Sequence, residues 1–384
     1  MKTGADNHVL LAGVSVRALA ESAARAGMRV TALDAFGDLD LRRVARVVAI
    51  PRNGAGRFAQ LAAARASRSI DVEAVSYVSS FENAPEAVEI LSEGRTLLGN
   101  SPAVLRRVRD PFALMRALPK LGMHTPAVRA SAPLAGSDGR WLLKPRRSGG
   151  GHGIVRWTSG MAVPRASIVQ ERIRGAAGSI IFAANGEALV PLALTRQLSG
   201  DAAFGANGFA YCGSILEPNS PALLANAIEL ATLITREFGL RGACGIDFIA
   251  RGEVPYAIEV NPRPTASMEL VERATGCSIW LAHTAGCMGS LTDSPLPAGD
   301  APILAHGKAV LYARQPLVLG DTTRWLADDD VRDIPAPGER VARGSPICTI
   351  FASGRTSALC YAALVRRARI RFAEVEGRMR RRSA

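Results

Sequence analysis

Gly245-Ile246-Asp247-Phe248-Ile249 and Ile258-Glu259-Val260-Asn261-Pro262-Arg263 are two apolar runs, each interrupted by oxygen-bearing side chains. On an extended strand residues two apart point the same way, so Glu259 and Asn261 share a face. A hairpin turning near Gly252 then brings Asp247 alongside them. Two carboxylates and an amide suit a hard cation of magnesium size, with coordination positions left for phosphate oxygens. Arg263 adds a fixed fork of donors for a developing anion. An ordinary hairpin with exposed acids is the competing reading of this segment taken alone.

About a hundred residues upstream, Trp141-Leu142-Leu143-Lys144-Pro145 reads as a strand carrying a lysine, followed by the loop Arg146-Arg147-Ser148-Gly149-Gly150-Gly151-His152-Gly153. Glycines let backbone amides close over phosphates, and a buried lysine adds charge to the same oxygens. No Gly-Lys-Ser or Gly-Lys-Thr follows, so this is not a Walker loop, and no dinucleotide fingerprint is present. A glycine loop alone is more often a turn; the order of loop and acidic hairpin gives it weight.

With these two elements the chain resembles the ATP-grasp superfamily of carboxylate-amine and carboxylate-thiol ligases, and within it the type that includes tyramine-glutamate ligases. The resemblance implies an α/β (α+β) protein in three parts. Residues 1–100 would form a Rossmann-like pre-ATP-grasp domain. Residues 101–295 would form the ATP-grasp fold, with a lysine-glycine loop subdomain at about 125–175 and a metal-binding subdomain at about 176–295. Residues 296–384 would form a small β-rich cap with a basic helical tail.

It also implies roles. Lys144, Ser148, Gly149, Gly150, Gly151 and Gly153 would hold ATP phosphates. Gln170 stands where an acid usually meets the adenine amino group, and the backbone of Glu171 and Ile173 would pair with the adenine edge. Asp247, Glu259 and Asn261 would place Mg2+, with Mn2+ as a substitute, and Arg263 and Lys144 would serve the reacting centre. The family's first nucleotide lysine is missing, since Pro111 follows Asp110 in that slot. Arg107 or Arg109 is the replacement to consider, against an exposed helix arginine. The implied activity is ADP-forming ligation of a small-molecule carboxylate to an amine through an acyl phosphate. A carboxylating enzyme of the biotin carboxylase or purine type, and a non-catalytic ATP-binding protein, are the alternatives. A homodimer is a further implication.

The 384 residues, 48% of them apolar, can build more than one core. The net charge of +13 invites a nucleic-acid reading. Yet only Lys2, Lys120, Lys144 and Lys308 are lysines, and outside the stretch Arg366 to Arg382 the arginines are scattered. Nucleic acid is therefore not the expected partner; an anionic substrate explains the charge equally well. Six cysteines without a Cys-x-x-Cys pair read as reduced, mostly buried residues of a cytoplasmic protein. No stretch approaches the roughly 18 apolar residues of a membrane span, and no secretory leader is read at the N-terminus.

Elsewhere the pattern is alternating. Val9 to Ala12, Val30 to Leu33, Val47 to Ile50, Val75 to Val78 and Thr96 to Leu98 read as strands, with helices between them and Ser15 as a helix cap. Ligands of such sheets sit beyond the strands' carboxyl ends, where Glu82 falls; an exposed loop acid is its simpler reading. Pro221 to Phe238 has helical periodicity closed by Gly239, and His283 reads as a packed histidine.

Overall fold

The computed structural model describes residues 7–50, 58–134, 139–216, 220–293 and 304–382, with backbone alone for 49 and 377–382. The expected boundary near residue 295 lies outside the described residues.

The N-terminal part is a five-stranded parallel sheet in the order Ala45–Ala49, Arg29–Asp34, His8–Ala12, Ala74–Tyr77, Thr96–Leu98. Val9, Leu10, Leu11 and Ala12 are all completely buried, as a central parallel strand covered on both faces must be. Ser15 does not cap the helix Arg17–Arg25; the N-cap is Val16 without a side-chain bond, and the Ser15 hydroxyl turns toward Asp333. Asp34 fixes the turns at the strand ends instead, accepting the amides of Val16, Phe36 and Gly37 at 2.7 to 2.8 Å.

A four-stranded antiparallel sheet follows, in the order Val128–Arg129, Ser167–Glu171, Trp141–Pro145, Val155–Arg156. It is reached through two short helices, Pro102–Val108 and Pro111–Lys120. Each opens on proline, with Ser101 and Asp110 as side-chain caps.

The largest sheet has eight strands, ordered Val254–Asn261, Arg241–Arg251, Ala176–Asn185, Leu189–Ser199, Tyr211–Leu216, Ala305–Tyr312, Pro346–Gly354, Val331–Arg332. The helix Pro221–Phe238 is capped by Ser220 and ended by Gly239 at φ +70°. It buries Leu230, Ile234 and Phe238 against Phe182, Ile246 and Phe248 of this sheet. The C-terminal strands are therefore not a separate cap packed on the sheet. Ala305–Tyr312 pairs directly with Tyr211–Leu216, so backbone hydrogen bonds join the two parts.

Nor is the final helix, Ser357–Arg382, simply a solvated basic tail. Arg367 and Arg371 reach Asp330 and Asp328, both at 2.6 Å, and Leu364, Ala368 and Phe372 are buried. Among the described residues no helix is long and apolar enough to cross a membrane.

Candidate active site

Strands Arg241–Arg251 and Val254–Asn261 form the expected hairpin, turning at Gly252 with φ +57°. Asp247 stands opposite Glu259 and Gly245 opposite Asn261. Asn261 Nδ2 donates to Asp247 Oδ2 at 3.0 Å, while Gln197 Nε2 donates to Asp247 Oδ1 at 2.7 Å. Burial and the facing Glu259 push the Asp247 carboxyl up to about 6, against hydrogen bonds from Ser179 and Asn261 and the charge of Arg263. Burial acts the same way on Glu259, but Arg109, Lys144 and Arg263 outweigh it and hold its carboxyl below the ordinary value.

Arg109 is the residue that simple sequence reading underrates. It stands between the two short helices, where an exposed arginine is unremarkable. Its side chain is only 12% exposed and points into the site. Nη1 donates to Glu259 Oε1 at 2.6 Å and to Val260 O at 3.0 Å, and Nη2 donates to Asn83 Oδ1 at 2.9 Å and to Ser148 O at 3.2 Å. The other candidate, Arg107, lies outward, with its side chain 58% exposed.

Lys144 is buried on its strand, and Nζ donates to Gln170 Oε1 at 2.9 Å. Burial lowers its pKa, while Glu259 and Asp247 work in the opposite direction. Gln170 thus presents its oxygen to the lysine and its Nε2 to Ile258 O at 3.4 Å. The Glu171 amide is taken by Ala127 O, so of its backbone only the carbonyl is left for an adenine edge.

The glycine loop folds back over the sheet. Tyr211 N–H donates to Gly150 O at 2.9 Å, and Asn83 Nδ2 reaches Ser148 O at 3.4 Å. At Gly151, with φ +74°, a Cβ would lie 1.8 Å from the carbonyl oxygen of Phe209, so only glycine permits this contact between the loops.

From the N-terminal sheet, Glu82 enters the same neighbourhood. It is not the exposed loop acid its position suggests: it is 1% exposed, with Oε1 2.7 Å from Arg263 Nη2. Arg263 donates its hydrogen bonds to Asn261 Oδ1 and Pro264 O. Strand alternation could have pointed to Gln197, which lies two residues after Thr195. Neither Glu82 nor Arg109 has a sequence signal beyond its place at an element's end.

One cleft is lined by Lys144, Ser148, Gln170 and Glu259, together with Arg109 and apolar residues including Val128, Ile168 and Ile258. Glu171, Ile173, Asp247, Asn261, Arg263 and the four glycines lie outside its lining. Asp247, Asn261 and Arg263 are connected to it through the hairpin. Among the described residues no cluster of three or more His, Cys, Asp or Glu is placed to hold a metal. The donor set nonetheless fits magnesium. Asp247 and Glu259 face each other, burial and Glu259 raise the Asp247 carboxyl, a divalent cation would offset that repulsion, and Asn261 would add an amide oxygen.

Residues 108–267 match the model of an ATP-grasp domain. An uncharacterized protein of Methanocaldococcus jannaschii is 22% identical over 274 residues, covering 67% of this chain and 63% of that relative's own length. Among solved structures, the L-amino acid ligase of Bacillus licheniformis superposes with a TM-score of 0.68 at 17% identity, covering 95% of this chain and 98% of that one. The ADP complex of N5-carboxyaminoimidazole ribonucleotide synthetase superposes with a TM-score of 0.69 at 17% identity, covering 96% and 98%. At these identities the structural likenesses establish the fold.

Proposed function

With an ATP-grasp domain at residues 108–267 as the premise, we propose that this protein is an ATP- and magnesium-dependent, ADP-forming ligase that joins a carboxylate to an amine. The observation that carries the reading is the single cleft where Lys144, Arg109, Ser148 and Glu259 meet. Three cationic or hydrogen-bonding groups and one carboxylate there suit a polyphosphate and its counterion.

A carboxylate does not condense with an amine at neutral pH, because oxide is a poor leaving group. Phosphorylating the carboxylate by ATP gives an acyl phosphate, which a neutral amine attacks with loss of phosphate. The protein's part is alignment and charge neutralisation. Lys144 and the Ser148 to Gly153 loop would bind phosphate oxygens, and Gln170 orients the lysine. Magnesium held by Asp247, Glu259 and Asn261 would draw charge from those oxygens. Arg263, steadied by Glu82, would face the anion that develops on the acid. Gln170, the Glu171 carbonyl and the Ile173 amide would border the adenine. The six unbridged cysteines suit a cytoplasmic setting. A homodimer is carried by the family likeness alone, and light scattering reads it out.

The test is a screen of acid and amine pairs with MgATP. ADP and phosphate should appear only when both partners are present, and bicarbonate dependence would instead identify a carboxylating enzyme. Folded protein that shows no calorimetric binding of MgATP would end the reading.

A further inference from the structure

The Arg109 guanidinium has no hydrogen to spare on its terminal nitrogens. Nη1 is shared between Glu259 Oε1 and Val260 O, and Nη2 between Asn83 Oδ1 and Ser148 O. Its Nε is buried and has no partner. One side chain therefore ties together the metal hairpin, the N-terminal domain and the glycine loop. The contact to Glu259 is a charge-assisted bond between two largely buried groups, with side chains 12% and 24% exposed.

We infer that Arg109 and the divalent ion compete for the Glu259 carboxylate, and that nucleotide phosphates resolve the competition by drawing Arg109 away. The inference rests on the nucleotide reading above. Glu259 Oε1 cannot serve a metal at full strength while the guanidinium sits 2.6 Å from it, because the two cations repel and share one set of lone pairs. A phosphate chain beside Ser148 offers the guanidinium further anionic acceptors, and the buried, unpartnered Nε–H gains an acceptor once the side chain swings toward it. The same movement removes one of the two donors on the Ser148 carbonyl, leaving Asn83 Nδ2, so phosphate binding, metal binding and the seating of the glycine loop become linked. By linkage the coupling runs both ways: metal strengthens nucleotide binding as much as nucleotide strengthens metal binding.

The test uses Mn2+ as the metal and ADP as the nucleotide, with free Mn2+ followed by electron paramagnetic resonance. Wild-type protein should bind Mn2+ weakly alone and about tenfold or more tightly with ADP. Arg109→Met, and Arg109→Gln, which can keep bonds to Asn83 and Ser148 without the charge, should bind Mn2+ alone about tenfold more tightly than wild type. Adding Glu259→Gln to either variant should erase that gain. Melting curves certify the fold of each variant.

Equal Mn2+ affinity of wild type and the neutral variants overturns the competition. So does a gain that survives the loss of Glu259, and so does a wild-type affinity indifferent to ADP. Failure of the wild type to bind ADP under any condition overturns the nucleotide reading and the competition together, whereas ADP binding with Mn2+ affinity unmoved by Arg109 overturns the competition alone.

Discussion

Glu82 and Arg263 form a buried ion pair, 2.7 Å apart, between the carboxyl end of the N-terminal parallel sheet and the end of the hairpin formed by Arg241–Arg251 and Val254–Asn261. Their side chains are 1% and 10% exposed, and neither Glu82 oxygen accepts a well-directed hydrogen bond. Each residue is the other's ion-pair partner, with Asp247 and Glu259 also acting on Arg263 and Arg109 on Glu82. Glu82→Met leaves the buried guanidinium without its ion-pair partner and should cost about 3 kcal/mol of unfolding free energy. The double variant Glu82→Met with Arg263→Met should recover much of that loss, because an apolar pair carries no uncompensated charge. Urea midpoints of the four proteins in the cycle check it, and additive losses would show that the pair is not coupled.

At Glu259 the expected effect is on rate. Glu259→Gln keeps the shape and an oxygen, but it removes the charge that Arg109 engages and that the proposed metal would use. Turnover should fall on the order of 10²-fold, as loss of one electrostatic stabiliser in an active site commonly does. Steady-state ADP release measures it. An unchanged rate would remove Glu259 from the metal site.

The hairpin and its turn were legible because both rest on short-range rules: alternation along a strand sets Glu259 and Asn261 on one face, and Gly252 permits the tight turn. The Pro221–Phe238 helix was legible from its apolar recurrence, its capping serine and its closing glycine. The contacts of Arg109, Gln197 and Glu82 were not, for a shared reason. Each lies at an element's end or on a strand whose facing partner is remote in sequence. Glu82 meets Arg263 and Arg109 meets Glu259 across a domain junction that no local pattern encodes. The C-terminal strands were read as strands but not as part of the large sheet, since strand pairing over the gap from Leu216 to Ala305 leaves no trace in periodicity.

The glycine loop offers a prediction that separates two neighbours of the same residue type. Gly151 sits at φ +74° with the Phe209 carbonyl where a Cβ would go, whereas a Cβ on Gly149 meets nothing within 4 Å. Gly151→Ala must push the loop away from residues 207–210. If phosphates are aligned by that loop, turnover should drop on the order of 10²-fold, since displacements of about 1 Å suffice for such losses. Global stability should change by less than about 1 kcal/mol, because the loop lies at the surface. Gly149→Ala should stay close to wild type. Equal activity of the two variants would show that the seat on Phe209 does not matter for catalysis.

His283 sets an acid limit on the fold away from the reaction centre. Its Nδ1 accepts the Ala243 amide at 3.0 Å, and its Nε2 contacts Leu98 O at 3.1 Å and Ser76 Oγ at 3.0 Å, which fixes the neutral form with its proton on Nε2. One imidazole so joins the hairpin strand to the N-terminal sheet. Burial pushes its pKa down to about 4, against the hydrogen bond to Leu98. Protonating Nδ1 would break the bond to Ala243, so the unfolded chain takes up this proton first. The stabilisation is then complete above about pH 6.5, falls as the pH drops from there toward 4, and amounts to about 3 kcal/mol over that window. His283→Gln should be less stable at neutral pH but lose less on acidification, so the two stability curves converge toward pH 4. Urea titrations at half-unit steps between pH 4 and 7.5 measure the difference, and parallel curves would show that His283 carries no part of the acid sensitivity.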